Sequence, residues 1–291
     1  MRQSYIICPL CNSNDEKQII HNKLRYEHVG LVYKCLICSY IFLFPRLASK
    51  EQDFYYQTEY RQDYQDDPVS QRFITDANEA LQRSFRICQN KKNAYSILEI
   101  GSGSGAFLNI ATNYFARAVG VELDKDSYQF INNKGLKIVN NLNLVSQEKF
   151  DFIVLFHVLE HLLDPIGFLS KLRLMLNDNG KIIIEVPNID DALISIYDIK
   201  EFKDFYFCSA HVSYFSAKTL KYCLEQSKIN NQISFVQRYD VYNHINWLKN
   251  KQPGDLETSL KIFSEKMCKA YSADLINNSV ADTLWAVGYA N

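Results

Sequence analysis

No stretch of the 291 residues approaches the ~18 consecutive apolar positions that a membrane-spanning helix requires. The most apolar run, residues 152–159, is strand-sized and already contains His157, so nothing is expected to span a bilayer. An excess of one charge is equally lacking: 32 basic residues face 33 acidic ones, for a formal net charge of −1. A protein dedicated to nucleic acid shows a basic excess or stripe, so the expected partner is a small or weakly charged molecule instead. Internal repeats and low-complexity tracts are absent. Behind Met1-Arg2-Gln3-Ser4 comes a cysteine pair and not an apolar core with a small-residue cleavage site, so the start does not read as a secretion signal and a cytoplasmic location is expected. What is present is a hydrophobic fraction of 47%, which over this length suits one full-size domain plus a small accessory one.

Four of the eight cysteines form two Cys-x-x-Cys pairs, Cys8-Pro9-Leu10-Cys11 and Cys35-Leu36-Ile37-Cys38. Two such turns supply the four thiolates of a tetrahedral zinc site, and four protein ligands leave no position open for chemistry, so a metal here would be structural. The gap between the pairs exceeds the roughly 15–20 residues of the usual ribbon, which a hairpin accommodates. A redox dithiol, or two unrelated pairs, are the other readings. The remaining cysteines, Cys88, Cys208, Cys223 and Cys268, stand singly and read as reduced thiols.

Residues 1–50 end in an apolar run, 40–44, closed by Pro45, and read as the zinc-binding ribbon. Residues 51–93 are polar and Tyr-rich at first, then place Phe73, Ile74, Ala77, Leu81 and Phe85 on one helical face, a helical connector. Over 94–291, short apolar strands at 96–100, 118–122, 150–156, 181–186 and 283–289 alternate with helical stretches that include 168–176 and 218–226. That alternation predicts an α/β domain whose mostly parallel sheet is covered on both faces.

Glycine is scarce, ten in all, yet three fall within Glu99-Ile100-Gly101-Ser102-Gly103-Ser104-Gly105, directly after the first strand of the domain and before a helix. Glycine permits positive φ and lets a ligand approach the backbone without meeting a Cβ. Glu122 ends the next strand about twenty residues on, where a carboxylate can accept hydrogen bonds from both ribose hydroxyls. Acid, Gly-x-Gly-x-Gly and second acid, in this order, resemble the class I S-adenosylmethionine-dependent methyltransferases. The likeness extends through Phe150-Asp151-Phe152-Ile153-Val154, His157-Val158-Leu159-Glu160-His161-Leu162, Asp164-Pro165, Glu185-Val186-Pro187-Asn188 and His211-Val212-Ser213-Tyr214-Phe215-Ser216. It implies a Rossmann-like sheet of seven strands and S-adenosylmethionine as cofactor, bordered by Glu99, Gly101, Ser102, Gly103, Gly105 and His157 at its amino-acid end and by Glu122 and Leu123 at the ribose. The family's acidic contact to adenine is missing after the third strand, where Asn140 or Asn141 are the candidate substitutes.

With the cysteine pairs, residues 41–45 and Phe54-Tyr55-Tyr56 with Tyr60, the chain is similar to bacterial methyltransferases of sugar and natural-product pathways that begin with a zinc ribbon. That resemblance implies methylation, at oxygen or carbon, of a small polar acceptor such as a nucleotide-linked sugar. The acceptor must lose a proton, a task suited to histidine. His211 is the first candidate base and His161 the second, with Tyr60 and Tyr214 as fallbacks. His157-x-x-Glu160-His161 also fits the inverted zinc-protease pattern, but His157 ends a strand and not a helical turn, so that match is read as coincidence. The aromatic-rich residues 188–214 read as a lid. Two other classes remain open: an RNA methyltransferase docked by its ribbon, and a non-catalytic protein that uses the ribbon to bind a partner.

Overall fold

The computed structural model describes residues 6–46, 67–88, 94–254, 257 and 260–289; the Tyr-rich residues 54–60 lie outside them. After the first cysteine pair, β1 (Lys17–His21), β2 (Leu31–Cys35) and β3 (Ile41–Phe44) form an antiparallel meander. Two helices follow, α1 (Val69–Thr75) and α2 (Ala77–Cys88), meeting at Asp76.

The larger unit alternates β4 (Ser96–Ile100), α3 (Ala106–Ala111), β5 (Arg117–Val121), α4 (Lys125–Asn133), β6 (Ile138–Val139), β7 (Phe150–Phe156), α5 (Pro165–Leu174) and β8 (Leu176–Pro187). Its second half holds α6 (Ala192–Ser195), α7 (Lys200–Tyr206), β9 (Ser213–Tyr214), α8 (Ala217–Gln226), β10 (Asn230–Val236), α9 (Val241–Asn250), α10 (Glu265–Asn277) and β11 (Thr283–Tyr289). Seven of these strands make one sheet, ordered β10-β11-β8-β7-β4-β5-β6. Its five strands from β8 to β6 run parallel, and β11 lies antiparallel between β8 and β10.

Successive residues of the central strands enter two different cores, as a period of two requires of a sheet buried on both faces. Leu98, Ile153, Leu155, Ile182 and Ile184 pack with Leu169 and Leu172 of α5 and Leu220 and Leu224 of α8. Ile97, Val154 and Ile183 face the other way, onto Ala80 of α2 and Phe107 and Ala111 of α3. Helix starts follow local chemistry. Asp164 accepts from the Gly167 amide and Pro165 occupies the first turn, where its missing N–H costs nothing, so α5 begins before the expected 168. Ser216 and Thr219 close a capping box on α8. Among the described residues no helix is long and apolar enough to cross a membrane.

The ribbon's sheet is not confined to the first fifty residues. β9 adds to it as a fourth strand, with Ile41 opposite Tyr214 and Phe42 opposite Ser213. Cys8, Leu10, Tyr40 and Phe42 share one core with Phe215 and Leu159 of the larger unit. Full burial of a ring such as Phe42, 1% exposed, is worth about 1.5–3 kcal/mol, so several such contacts bind the two parts together. Residues 188–214 are not a loose lid. Ile189, Leu193, Phe202, Tyr206 and Phe207 pack on Leu24, Val32 and Leu43 of the ribbon and on Trp247 of α9, because so many apolar rings in one connection find burial against each other.

Candidate active site

The turn from β4 to α3 puts Gly101, Gly103 and Gly105 at φ of 70°, 55° and 79°, left-handed values that a side chain disfavours. A Cβ at Gly101 would strike Val158 at 2.6 Å, so the loop lies against the segment that follows β7. A Cβ at Gly103 would meet nothing within 4 Å: the backbone here borders open space. Glu122, at the carboxyl end of β5, grips this loop by accepting from the Gly103 amide at 2.7 Å and from the Asp124 amide at 2.8 Å. Ser104 donates to Asp76 at 2.7 Å, which ties the α1–α2 junction over the loop. Glu99 is buried, its Oε2 without a hydrogen-bond partner among the described residues, and burial pushes its carboxyl up to about 8 against a smaller opposing effect of Ser102. Leu123 is 40% exposed beside Glu122. Asn140 and Asn141, just after β6, are both exposed, and Asn141 caps the following turn through the Asn143 amide.

His157, at a φ of 55°, stands at the centre of a charge cluster. Its Nδ1 is 3.3 Å from Glu160 and its Nε2 3.1 Å from Glu185, at the end of β8. Arg83 of α2 binds Glu185 through both Nε (3.0 Å) and Nη2 (2.8 Å) and reaches Glu79, and Arg238, after β10, lies 2.8 Å from His157 and binds Glu79. Burial disfavours the imidazolium of His157, but hydrogen bonds to Glu160 and Glu185 outweigh it and the pKa rises. Glu185 is held far below the usual range, burial being overcome by His157 and Arg83. Sequence reasoning missed Glu79, Arg83 and Arg238; the available signal was Glu185 itself, an acid inside the apolar run 182–186 that must find buried cations.

Glu160 and His161 occupy a single 3-10 turn, Leu159–His161, after β7, which rules out the two-histidine helix face of the zinc-protease pattern. His161 and His211 lie edge to face with ring centroids 4.9 Å apart, although fifty residues separate them in sequence. Nδ1–H of His161 donates to the Ala210 carbonyl at 3.0 Å. Burial lowers both imidazole pKa values, that of His211 to about 4, so both are neutral near pH 7. Glu160 is ionised, lowered to about 2: burial opposes this, but the hydrogen bond from His157 prevails. The fallback Tyr214 is buried, its hydroxyl accepting from the Cys208 amide and donating to the Cys208 carbonyl, both at 3.0 Å, so it is spent on structure. Tyr60 is outside the described residues.

The ribbon braces this histidine from several sides. Arg25 donates to the carbonyls of Phe205 (2.6 Å) and Phe207 (2.8 Å), His28 Nδ1 is 2.7 Å from the Ser209 hydroxyl, and the Leu43 amide donates to Val212 at 3.2 Å. In the ribbon itself, the sulfurs of Cys8 and Cys38 are 3.6 Å apart and those of Cys11 and Cys35 3.7 Å, all four within 4.8 Å of one another. Tetrahedral ligands ~2.3 Å from zinc have edges of ~3.8 Å, so the four thiols fit that ion. Asn12 and Ser39, just after each pair, take left-handed φ of 58° and 67° that turn the chain back over the sulfurs.

Strand order, the antiparallel β11 and the glycine turn at the carboxyl edge of β4 define the class I S-adenosylmethionine-dependent methyltransferase fold. A solved S-adenosylmethionine-dependent methyltransferase of Archaeoglobus fulgidus shares it, with a TM-score of 0.50 at 18% identity over 73% of this chain and 94% of that one. The chain belongs to the methyltransferase-domain family, whose profile matches residues 66–231. It is similar to the uncharacterized protein MJ1123 of Methanocaldococcus jannaschii, 28% identical over 46% of this chain and 64% of that protein. It is also similar to (S)-coclaurine N-methyltransferase of Papaver somniferum, 25% identical over 57% of this chain and 51% of that enzyme. The chain thus matches about half to two thirds of the length of these curated relatives.

Proposed function

We propose that this chain transfers the methyl group of S-adenosylmethionine to a small polar acceptor, a sugar or natural-product precursor. The observation that carries the reading is the open space over Gly103, bordered by Glu122, on a loop whose Gly101 lies against Val158, just before the turn that bears Glu160 and His161. When bound, the cofactor supplies a methyl already activated on a sulfonium. Glu122, at the carboxyl end of β5 beside Gly103, is placed to meet the ribose hydroxyls, and Leu123 offers an apolar edge for the base. Glu99 favours a cation at the amino-acid end, because an ammonium nearby would restore the carboxylate that burial suppresses. His161 and His211, neutral and paired, are placed to receive the acceptor's proton, although a pKa of about 4 makes His211 a weak base. The aligned encounter itself is worth about 7–11 kcal/mol in such reactions. A natural-product acceptor also agrees with the substrate named for the Papaver somniferum relative. In the ribbon, the four thiolates hold zinc as a structural ion, and β3, paired with β9, serves to place His211 and not to dock RNA.

Incubation of the purified chain with methyl-labelled cofactor and pools of sugar nucleotides and aromatic metabolites should move label into one acceptor class. Label that stays in the cofactor across both pools, with the cofactor demonstrably bound, would leave a binding protein and sink the enzyme reading. For the histidines, His211→Ala and His161→Ala should each lower turnover by about 10²-fold or more with cofactor affinity within a few-fold. Turnover within a few-fold of wild type in both variants would place the proton acceptor elsewhere. Replacing Glu122 by Ala should weaken cofactor binding about 10- to 100-fold in calorimetry, the range of hydrogen bonds to a charged group. An unchanged affinity would move the ribose site.

A further inference from the structure

Three clusters of potential metal ligands exist among the described residues: the four ribbon cysteines, Glu79 with His157 and Glu185, and Glu160 with His161 and His211. They differ in what already satisfies them. The second is closed by cations of the protein itself, since Arg83 and Arg238 bind its carboxylates. The third feels the charge of Arg25 at His211, yet two of its donor atoms make no hydrogen bond to any cation among the described residues. Glu160 is 1% exposed, and only its Oε1 has a partner, His157 at 3.3 Å. Its Oε2 is buried with no hydrogen-bond partner among the described residues, and the same holds for Nδ1 of His211. One donor atom from each of the three residues lies within 4.8 Å of the others.

Two buried groups without partners in one small volume are costly, about 1–3 kcal/mol each and more for a charged one. They are also mutually suited to a third body. An ionised carboxylate oxygen has only acceptor capacity, as does the unprotonated nitrogen of an imidazole, and what such a set lacks is a cation. The backbone has prepared the remaining ligand. His161 donates Nδ1–H to the Ala210 carbonyl, which fixes the tautomer with Nε2 as its acceptor, the outer-shell arrangement that orients metal-bound histidines. Backbone links hold the set together: the Val212 amide donates to the Glu160 carbonyl at 3.0 Å, joining the segment of His211 to the turn of Glu160 and His161. The site borders the glycine loop, because Val158, two residues before Glu160, is the side chain against Gly101.

We propose that Glu160, His161 and His211 bind a divalent first-row transition cation, and that this cation holds the two oxygens of a vicinal diol at the methyl-transfer centre. The inference rests on the methyl-transfer reading for the role of the cation but not for its binding. One carboxylate and two imidazoles suit Mn²⁺, Fe²⁺, Co²⁺ or Zn²⁺ better than the all-oxygen preferences of Mg²⁺ and Ca²⁺. Three protein ligands leave positions open, unlike the four thiolates of the ribbon, and two adjacent hydroxyls of a sugar or a catechol can fill two of them. The cation lowers the pKa of the hydroxyl it holds, so the O–H proton passes to solvent water. The oxygen's electron pair then forms the bond to the methyl carbon of S-adenosylmethionine, the carbon–sulfur bond breaks, and its pair returns to sulfur as the neutral thioether S-adenosylhomocysteine. In this arrangement His161 and His211 act as ligands of the cation in place of the direct proton acceptors of the reading above, so a base of high pKa is not needed.

The test is a titration of the 291-residue chain, brought to one zinc per chain so that zinc occupies the ribbon alone, with Mn²⁺, followed by electron paramagnetic resonance. We expect one saturable Mn²⁺ per chain in addition to the ribbon's zinc, with spin-echo modulation from imidazole nitrogen. Glu160→Gln, His161→Ala and His211→Ala should each weaken Mn²⁺ binding at least tenfold, with zinc content unchanged and cofactor affinity within about threefold as evidence of an intact fold. Absence of saturable Mn²⁺ binding, or bound Mn²⁺ without nitrogen modulation, overturns the site using the wild-type protein alone, so a variant that misfolds does not protect the idea. Calorimetry with S-adenosylmethionine separates the two readings. Cofactor binding without Mn²⁺ binding removes this site and leaves methyl transfer standing, whereas Mn²⁺ binding without cofactor binding supports the site and removes the methyl-transfer reading. Given both, methylation of a vicinal diol that is stimulated by Mn²⁺ and abolished in His211→Ala supports the role proposed for the cation, and a preferred acceptor with one isolated nucleophile overturns it.

Discussion

Gly103→Val should weaken binding of S-adenosylmethionine by about 100-fold or more while the chain stays folded. Two effects add. At a φ of 55° a β-branched residue is an outlier, costing on the order of 1–3 kcal/mol or forcing the loop to move. A moving loop breaks the 2.7 Å bond from the Gly103 amide to Glu122, and with it the carboxylate proposed to hold the ribose. A loop that stays put instead projects the new side chain into the space that now holds no atom within 4 Å of the Cβ position. Gly101 would be a poorer probe, because its Cβ strikes Val158 and binding could fail through general disruption. Calorimetry and thermal melting on the same sample decide the matter: unchanged affinity with an unchanged melting temperature would mean that the cofactor does not pass over Gly103.

The second large effect is expected from the ribbon. Cys35→Ser removes a fully buried ligand from the four-sulfur cluster and should lower zinc from about one ion per chain to none by elemental analysis. Zinc is worth about 10–16 kcal/mol in small modules of this kind, far more than three short strands can supply by themselves. The loss should not stop at the ribbon. β3 pairs with β9, and His211 lies two residues before β9, so the bracing from Arg25, His28 and Leu43 weakens as well. Turnover should fall more than about tenfold, and amide exchange over residues 205–215 should accelerate. Affinity for the cofactor should stay within a few-fold, because the glycine loop is held by Glu122 and Asp76, neither of which belongs to the ribbon. Full zinc content with normal exchange would mean that the cysteines are ordinary thiols.

The parts of the fold that were legible in the sequence are those in which one local rule decides. β4, β5, β7 and β11 are apolar runs bounded by breakers, and they occur within a residue or two of their expected ends. β10 was not seen, since an antiparallel edge strand alternates exposed Asn and Gln with half-buried residues and carries no continuous apolar signal. The helices α9 and α10 were likewise unread. Residues 188–214 read as a lid in sequence because aromatic density reveals an appetite for burial but not the surface that satisfies it, which here includes the ribbon some 170 residues earlier. The same limit applies to the site. Glycine spacing announces its own turn, whereas the meeting of Glu160 and His161 with His211, or of Glu185 with Arg83 and Arg238, is made by packing of distant elements. The place where each histidine emerges, beyond the carboxyl edge of the sheet, was readable; the orphaned atoms between them were not.

Pairing of β3 with β9 also sets a schedule for synthesis. The ribbon leaves the ribosome first, yet the strand that completes its sheet follows about 170 residues later, roughly 10–30 s at ordinary elongation rates. Throughout that interval Tyr40 and Phe42, which end up 1% exposed, lack the part of their cover that Phe215 and Leu159 supply. Capture of zinc by the nascent hairpin would hold these rings in a fixed orientation until their partner arrives, whereas a metal-starved cell would present the same segment unfolded and sticky. Yield of soluble protein should therefore depend on zinc supply during translation more steeply than on zinc added after lysis.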